Sequence, residues 1–87
     1  MEPLKSNEFY DRLARFFDVM TDWQSRLAHE MPFLQETLTR YGAHGILDTA
    51  CGTGWHAIAL AQKGYRTAGC DASPVMIEQA RANASKA

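Results

Sequence analysis

The part of this chain able to do chemistry is a pair of aspartates separated by a run of small residues. Asp48 leads into Thr49-Ala50-Cys51-Gly52-Thr53-Gly54, and Asp71 lies 19 residues past Gly52. Small residues let a backbone approach a ligand closely. A helix starting near Trp55 would add unpaired N–H groups at the same place. The stretch Gly52-Thr53-Gly54-Trp55-His56-Ala57 fits the pattern G-x-G-x-x-G/A, with an acid where ribose hydroxyls are bound, so a dinucleotide is one ligand class. The charges favour another. A pyrophosphate brought to this loop would meet the Asp48 carboxylate, and Asp48–Gly54 contains no Lys or Arg. Like charges in a partly dry pocket repel. A ligand with a sulfonium and an ammonium group has the opposite preference, and S-adenosylmethionine carries both and no phosphate. Asp71 suits either class, because a carboxylate accepts two charge-assisted hydrogen bonds from a vicinal diol.

These residues need elements to hold them. Ile46-Leu47 reads as the end of a short apolar strand over Gly45–Asp48, of the kind buried on both faces. Trp55–Lys63 is a helix closed by Gly64, and Tyr65–Cys70 is a second strand. Ser73-Pro74 places a cap before a proline at the first helical position, opening a last helix to about Ala84 with a frayed end beyond. Upstream, Phe9, Leu13, Phe16, Phe17 and Met20 have the spacing of an amphipathic helix, with Ser6 or Asn7 as its cap after a loose start. Thr21 to Gln24 matches a capping box. It opens a second helix with the stripe Trp23, Leu27, Met31, Leu34, Leu38 and Tyr41. Pro32 inside that stripe predicts a kink or a restart, and Gly42 ends the helix. The order is two helices, then β-α-β-α. A right-handed crossover makes the strands parallel, which is the opening half of a doubly wound α/β sheet.

Bulk properties bound the rest. Eighty-seven residues make one domain at most, and a chain this short has a modest core. Hydrophobic residues at 46% and charged residues at 22% describe an ordinary globular protein. A net charge of -1 with scattered Lys and Arg gives no basic patch for nucleic acid. No apolar run reaches membrane-spanning length, and the first residues do not read as a signal peptide. The expected location is cytoplasmic. Cys51 and Cys70 are read as reduced, half-buried side chains, and no Cys/His spacing suits a metal. Trp55 is read as a packing residue, and His29, His44 and His56 as surface or cap residues. Tyr10 and Phe17 belong to a helical aromatic stripe, which is usually core.

The two acidic stretches together resemble a known family. Asp48-Thr49-Ala50-Cys51-Gly52-Thr53-Gly54 is similar to motif I of the class I (Rossmann-like) S-adenosylmethionine-dependent methyltransferases. Gly69-Cys70-Asp71-Ala72-Ser73-Pro74-Val75-Met76 resembles the motif that follows it. The D-x-A-C-G-T-G form is found in small-molecule methyltransferases similar to glycine N-methyltransferase. Ala50 stands where a first glycine is usual. The resemblance implies that S-adenosylmethionine is the cofactor. Asp48 would lie near its methionine end, with Ala50, Cys51, Gly52, Thr53 and Gly54 lining the loop. Asp71 would bind the ribose, and Ala72 and Met76 would flank the adenine. Relatives of this type hold the cofactor carboxylate with an upstream arginine. Arg26, 22 residues before Asp48, fits that position, and a guanidinium grips carboxylates in a bidentate way. Trp23 could cover the methionine chain.

Two regions follow from this resemblance: a helical cap over residues 1–44 and the start of a Rossmann-like domain over 45–87. The implied activity is methyl transfer to a small-molecule acceptor, with an NAD- or FAD-binding oxidoreductase fragment or a non-catalytic interaction module as alternatives. A complete sheet of this family has more strands than the two found here. The chain is therefore expected to be inactive alone and to self-associate through a bare strand edge.

Overall fold

The computed structural model describes residues 6–87, including, in the first helix, the side chains of Phe9, Arg12, Leu13, Ala14 and Phe16 to Met20. Six elements follow in order: α1 (Ser6–Met20), α2 (Trp23–Arg40), β1 (Gly45–Asp48), α3 (Trp55–Gln62), β2 (Arg66–Gly69) and α4 (Pro74–Lys86). The architecture is mixed helix and strand. The side chains of Ser6 and Asn7, the expected caps, and of Tyr10 lie outside the description. Among the described residues, no helix is long and apolar enough to cross a membrane.

β1 and β2 pair in parallel, with Ile46 opposite Thr67, Leu47 opposite Ala68 and Asp48 opposite Gly69. One face of this two-stranded sheet carries α3. Thr67 Oγ1 donates to the Ala57 carbonyl at 3.2 Å, so Thr67 and its partner Ile46 point toward the helices. The other face is open. Leu47 is 63% exposed, which corrects the expectation of a strand buried on both sides: helices cover only the face that Ile46 and Thr67 share.

The turns that return the chain to the sheet use one device twice. At the end of α2 the Gly42 N–H bonds to the Thr39 carbonyl and Ala43 N–H to Leu38. At the end of α3 the Gly64 N–H bonds to Ala61 and Tyr65 N–H to Leu60. Both are Schellman closures, which satisfy the last helical carbonyls and send the chain into a strand.

Three local expectations are corrected. Asp22, not Thr21, caps α2, its carboxylate accepting from Ser25 N–H at 3.1 Å; the Thr21 N–H is already bound to the Phe17 carbonyl. Of the kink or restart expected at Pro32, the restart does not occur, since α2 is one continuous helix. Pro32 and Ala28 both lie on the exposed side, where water can satisfy the carbonyl that the missing N–H leaves free. Finally, α4 continues to Lys86, and its Asn83 is buried rather than frayed. The stripe of α1 is also less buried than its spacing predicts: Ala14 is buried, while Phe9, Phe16 and Met20 are exposed, because α1 packs mainly on α4.

Candidate functional site

The loop between β1 and α3 is held from every side. Ala50 N–H donates to Asp48 Oδ1 at 3.2 Å. Cys51 N–H bonds to the Cys70 carbonyl at 3.0 Å, and Cys70 N–H to the Asp48 carbonyl at 2.9 Å. These bonds extend the strand pairing past both strand ends. Gly52 N–H donates to Asp71 Oδ2 at 2.9 Å, while Asp71 Oδ1 accepts from Ser73 N–H at 2.9 Å. The two aspartates singled out from sequence thus sit at neighbouring strand ends, and each already organises the loop. Each carboxylate oxygen retains a second lone pair for a ligand.

The two loop glycines have different surroundings. A Cβ on Gly52 would meet nothing within 4 Å, so that side of the loop is open to a close approach. Gly54 has φ +87°, and a Cβ there would lie 3.0 Å from Ala80 Cβ. Its missing side chain therefore lets α3 start against α4. Thr49 and Ala50 form an exposed rim, and Thr53 and Gly54 a buried base.

Beneath that base lies a polar joint that sequence reasoning missed. Asp18, in the last turn of α1, accepts from Thr53 Oγ1 at 2.6 Å, from Trp23 Nε1 at 2.8 Å and from Asn83 Nδ2 at 2.7 Å. Asn83 also donates to the Thr53 carbonyl at 3.0 Å. Thr53 and Asn83 are 1% and 3% exposed. One carboxylate joins α1, the head of α2, the loop and α4. Signals for it existed. An acid near a helix C-terminus opposes the helix dipole and needs a partner elsewhere. Asn83 continues the stripe of Met76 and Ala80 at i, i+4, i+7, a polar residue on a buried face.

Trp23 and Arg26 are brought together on the outer side of this joint. The Arg26 guanidinium lies over the Trp23 ring, 5.0 Å from its centroid. The Trp23 ring meets Phe17 at 5.9 Å and the His56 ring edge-on at 5.5 Å. Arg26 Nε donates to Glu30 Oε1 at 2.6 Å, and Glu30 Oε2 lies 3.0 Å from His56 Nε2. His56 is thus half-buried in a cluster rather than a lone surface residue. The Arg26 guanidinium, and after it the His56 ring, hold the Glu30 carboxyl below the usual carboxylate range. A cavity of about 670 Å³ adjoins this cluster; Glu30, Phe33 and Leu34 line one wall, and it reaches the loop mouth at Asp48 and Thr49.

The remaining candidates divide. Ala72 is exposed beside Asp71, whereas Met76 is a core residue at 3% exposure. Burial pushes the Cys51 thiol up, with the Asp48 and Asp71 carboxylates adding to the shift. Cys51 and Cys70 are free thiols. Trp55 packs at the start of α3, and its buried indole N–H has no acceptor among the described residues.

The site is therefore a glycine loop with an acid at each strand end and no basic side chain within it. Residues 46–87 match the family described as methyltransferase domain. The chain is 35% identical over 80 residues to a glycine/sarcosine N-methyltransferase of Aphanothece halophytica, covering 92% of this chain and 30% of that protein. The corresponding enzyme of Parasynechococcus marenigrum is 38% identical over 77 residues, covering 88% of this chain and 27% of its own length. Glycine N-methyltransferase of Rattus norvegicus is 39% identical over 59 residues, covering 68% of this chain and 20% of that protein. The chain spans less than a third of the length of these relatives.

Proposed function

We propose that this chain is the cofactor-binding front of an S-adenosylmethionine-dependent methyltransferase acting on a small-molecule acceptor. The observation that carries the reading is the pair of carboxylates, Asp48 and Asp71, at adjacent strand ends around a loop without Lys or Arg. The residues present fit that cofactor: two acids for its cationic and diol groups, an open approach at Gly52, and a guanidinium on the far side of the loop. Bound there, it supplies an activated methyl group on a sulfonium. Arg26 grips the cofactor carboxylate and Trp23 covers the methionine chain. Asp48 faces the ammonium end, and the backbone of Ala50, Cys51, Gly52, Thr53 and Gly54 forms the floor. Asp71 binds the ribose diol, and Ala72 flanks the adenine, with Met76 packed in the helix behind. Catalysis of this kind rests chiefly on positioning, since the donor is already activated. The names of the relatives point to a small amine, such as glycine or sarcosine, as the acceptor.

In this reading residues 1–44 are a helical cap, and residues 45–87 begin a Rossmann-like, doubly wound sheet. The exposed Leu47 on the open sheet face and Phe33 beside the β1 edge, at 63% and 69% exposure, make that edge a place of self-association. A monomer by light scattering at high concentration refutes this last point.

Calorimetric titration with S-adenosylmethionine and with NAD tests the whole reading. The expected result is preferential binding of the former, weakened by Asp71→Ala and by Arg26→Ala. Tighter binding of NAD overturns it, and binding of neither leaves a non-catalytic interaction module or a fragment whose site is incomplete.

A further inference from the structure

Arg26 is restrained on two sides. Its face rests on the Trp23 ring at 5.0 Å, and its Nε is occupied by Glu30 Oε1 at 2.6 Å. Trp23 is fixed in turn by Asp18. With Nε taken, the two Nη groups are the remaining edge of the guanidinium, and a paired N–H edge meets a carboxylate in a bidentate way. The Arg26 side chain is 45% exposed, so that edge is reachable. A surface i,i+4 pair alone holds an arginine only loosely. Here a third group intervenes. His56, in the first turn of α3 and directly after the glycine loop, takes the second oxygen of Glu30 at 3.0 Å. The Glu30 carboxylate therefore ties the arginine of α2 to the head of α3.

We infer that Glu30 is a positioning residue that aims Arg26 at a ligand carboxylate, and that His56 tunes this grip with its charge. The inference rests on the reading of Arg26 as the cofactor's carboxylate holder. With His56 neutral, Arg26 and Glu30 cancel. With His56 protonated, the cluster carries a net positive charge, and an incoming carboxylate is drawn more strongly. Glu30 stays ionised throughout, because Arg26 and His56 both favour its charged form. The charged and titratable groups facing the His56 ring are Glu30 and Arg26, with His29 of α2 and Asp48 at the end of β1 on the same cavity.

The test is calorimetric titration of the chain with S-adenosylhomocysteine, whose amino-acid head is zwitterionic across the range in which imidazoles titrate. Binding is expected to be roughly three- to tenfold tighter at pH 6 than at pH 8, the size of one partly screened charge interaction. His56→Gln keeps a donor to Glu30 and cannot charge, so the pH dependence should vanish while affinity at pH 8 is kept. His29→Gln should retain the dependence. Glu30→Ala uncovers the Arg26 charge, which by itself would tighten binding, yet the loss of aim should weaken binding severalfold at both pH values. Glu30→Gln, whose amide oxygen still accepts from Arg26, should recover most of that loss. A pH dependence that survives His56→Gln, or a Glu30→Ala variant that binds like the parent, overturns the inference. If Arg26→Ala weakens binding and Glu30→Ala does not, only this inference falls. If Arg26→Ala has no effect, or the parent chain binds no ligand, the carboxylate-holder reading falls and takes this inference with it.

Discussion

Replacing Asp18 by alanine removes one acceptor from three donors, and the structure says which of the three matters most. The Trp23 indole is half-exposed and can turn to water. Asn83 keeps its second bond, to the Thr53 carbonyl. The Thr53 hydroxyl is 1% exposed and loses its partner. An orphaned buried donor costs about 1–3 kcal/mol, and bonds to a charged acceptor contribute about 1.5–3 kcal/mol. Allowing for overlap between these, Asp18→Ala should lower stability by about 2–4 kcal/mol. Small domains have about 0.05–0.15 kcal/mol of stability per residue, so this is a large share of the total. Asp18→Asn keeps the shape and one acceptor but sets an amide N–H₂ against that of Asn83, and should lose about half as much. Urea unfolding followed by circular dichroism and by tryptophan fluorescence measures both variants. With a slope of about 1 kcal/mol per molar urea, the alanine midpoint should fall by about 2–4 M. If both variants stay within about 0.5 kcal/mol of the parent, the joint is not holding the helices to the loop.

Other perturbations have definite outcomes. Gly54→Ala forces a side chain into a left-handed backbone and against Ala80, so it should cost about 2–3 kcal/mol by urea unfolding. Ser73 accepts from Met76 N–H at 3.2 Å at the start of α4, and Ser73→Ala should cost about 1 kcal/mol in the same assay. Glu30 has a depressed folded value, so its contribution is fully present above the ordinary carboxyl value of 4.5 and is lost as pH falls through the lower folded one. The stability gap between the parent and Glu30→Gln, measured from pH 7 downward, should therefore close only in acid. Iodoacetamide at pH 8 should label the exposed Cys70 before Cys51, whose thiol is pushed up by burial and two nearby carboxylates; mass spectrometry of partial products reads the order.

The β-α-β-α order and the loop were legible because each carries local chemistry. Ser73-Pro74 and Gly64 mark their helix ends by backbone preference alone. Asp48 and Asp71 stand out because carboxylates flank a loop with no balancing cation. What sequence did not show are bonds between distant residues. His56 offers no local hint of Glu30, which lies 26 positions away. The Arg26–Glu30 spacing was readable as an i,i+4 pair, yet its use by His56 depends on how α3 crosses α2. The bare face of β1 was misjudged for a related reason: an apolar tetrapeptide reports what could cover it, not what does.

The separation of the Asp18 contacts along the chain sets an order of assembly. Asp18 bonds to Thr53 across 35 positions and to Asn83 across 65. Closing loops of that length carries an entropy penalty that local turns escape. The Thr53–Asn83 bond lies wholly within the β-α-β-α portion and can form before α1 is engaged. Locking of α1 after the rate-limiting step predicts that Asp18→Ala speeds unfolding and leaves refolding almost unchanged in stopped-flow kinetics; slower refolding refutes that order. On a ribosome, α1 must wait for α4. Until Asn83 has emerged and turned inward, the segment carrying Trp23 and Arg26 has no fixed seat against the loop it serves.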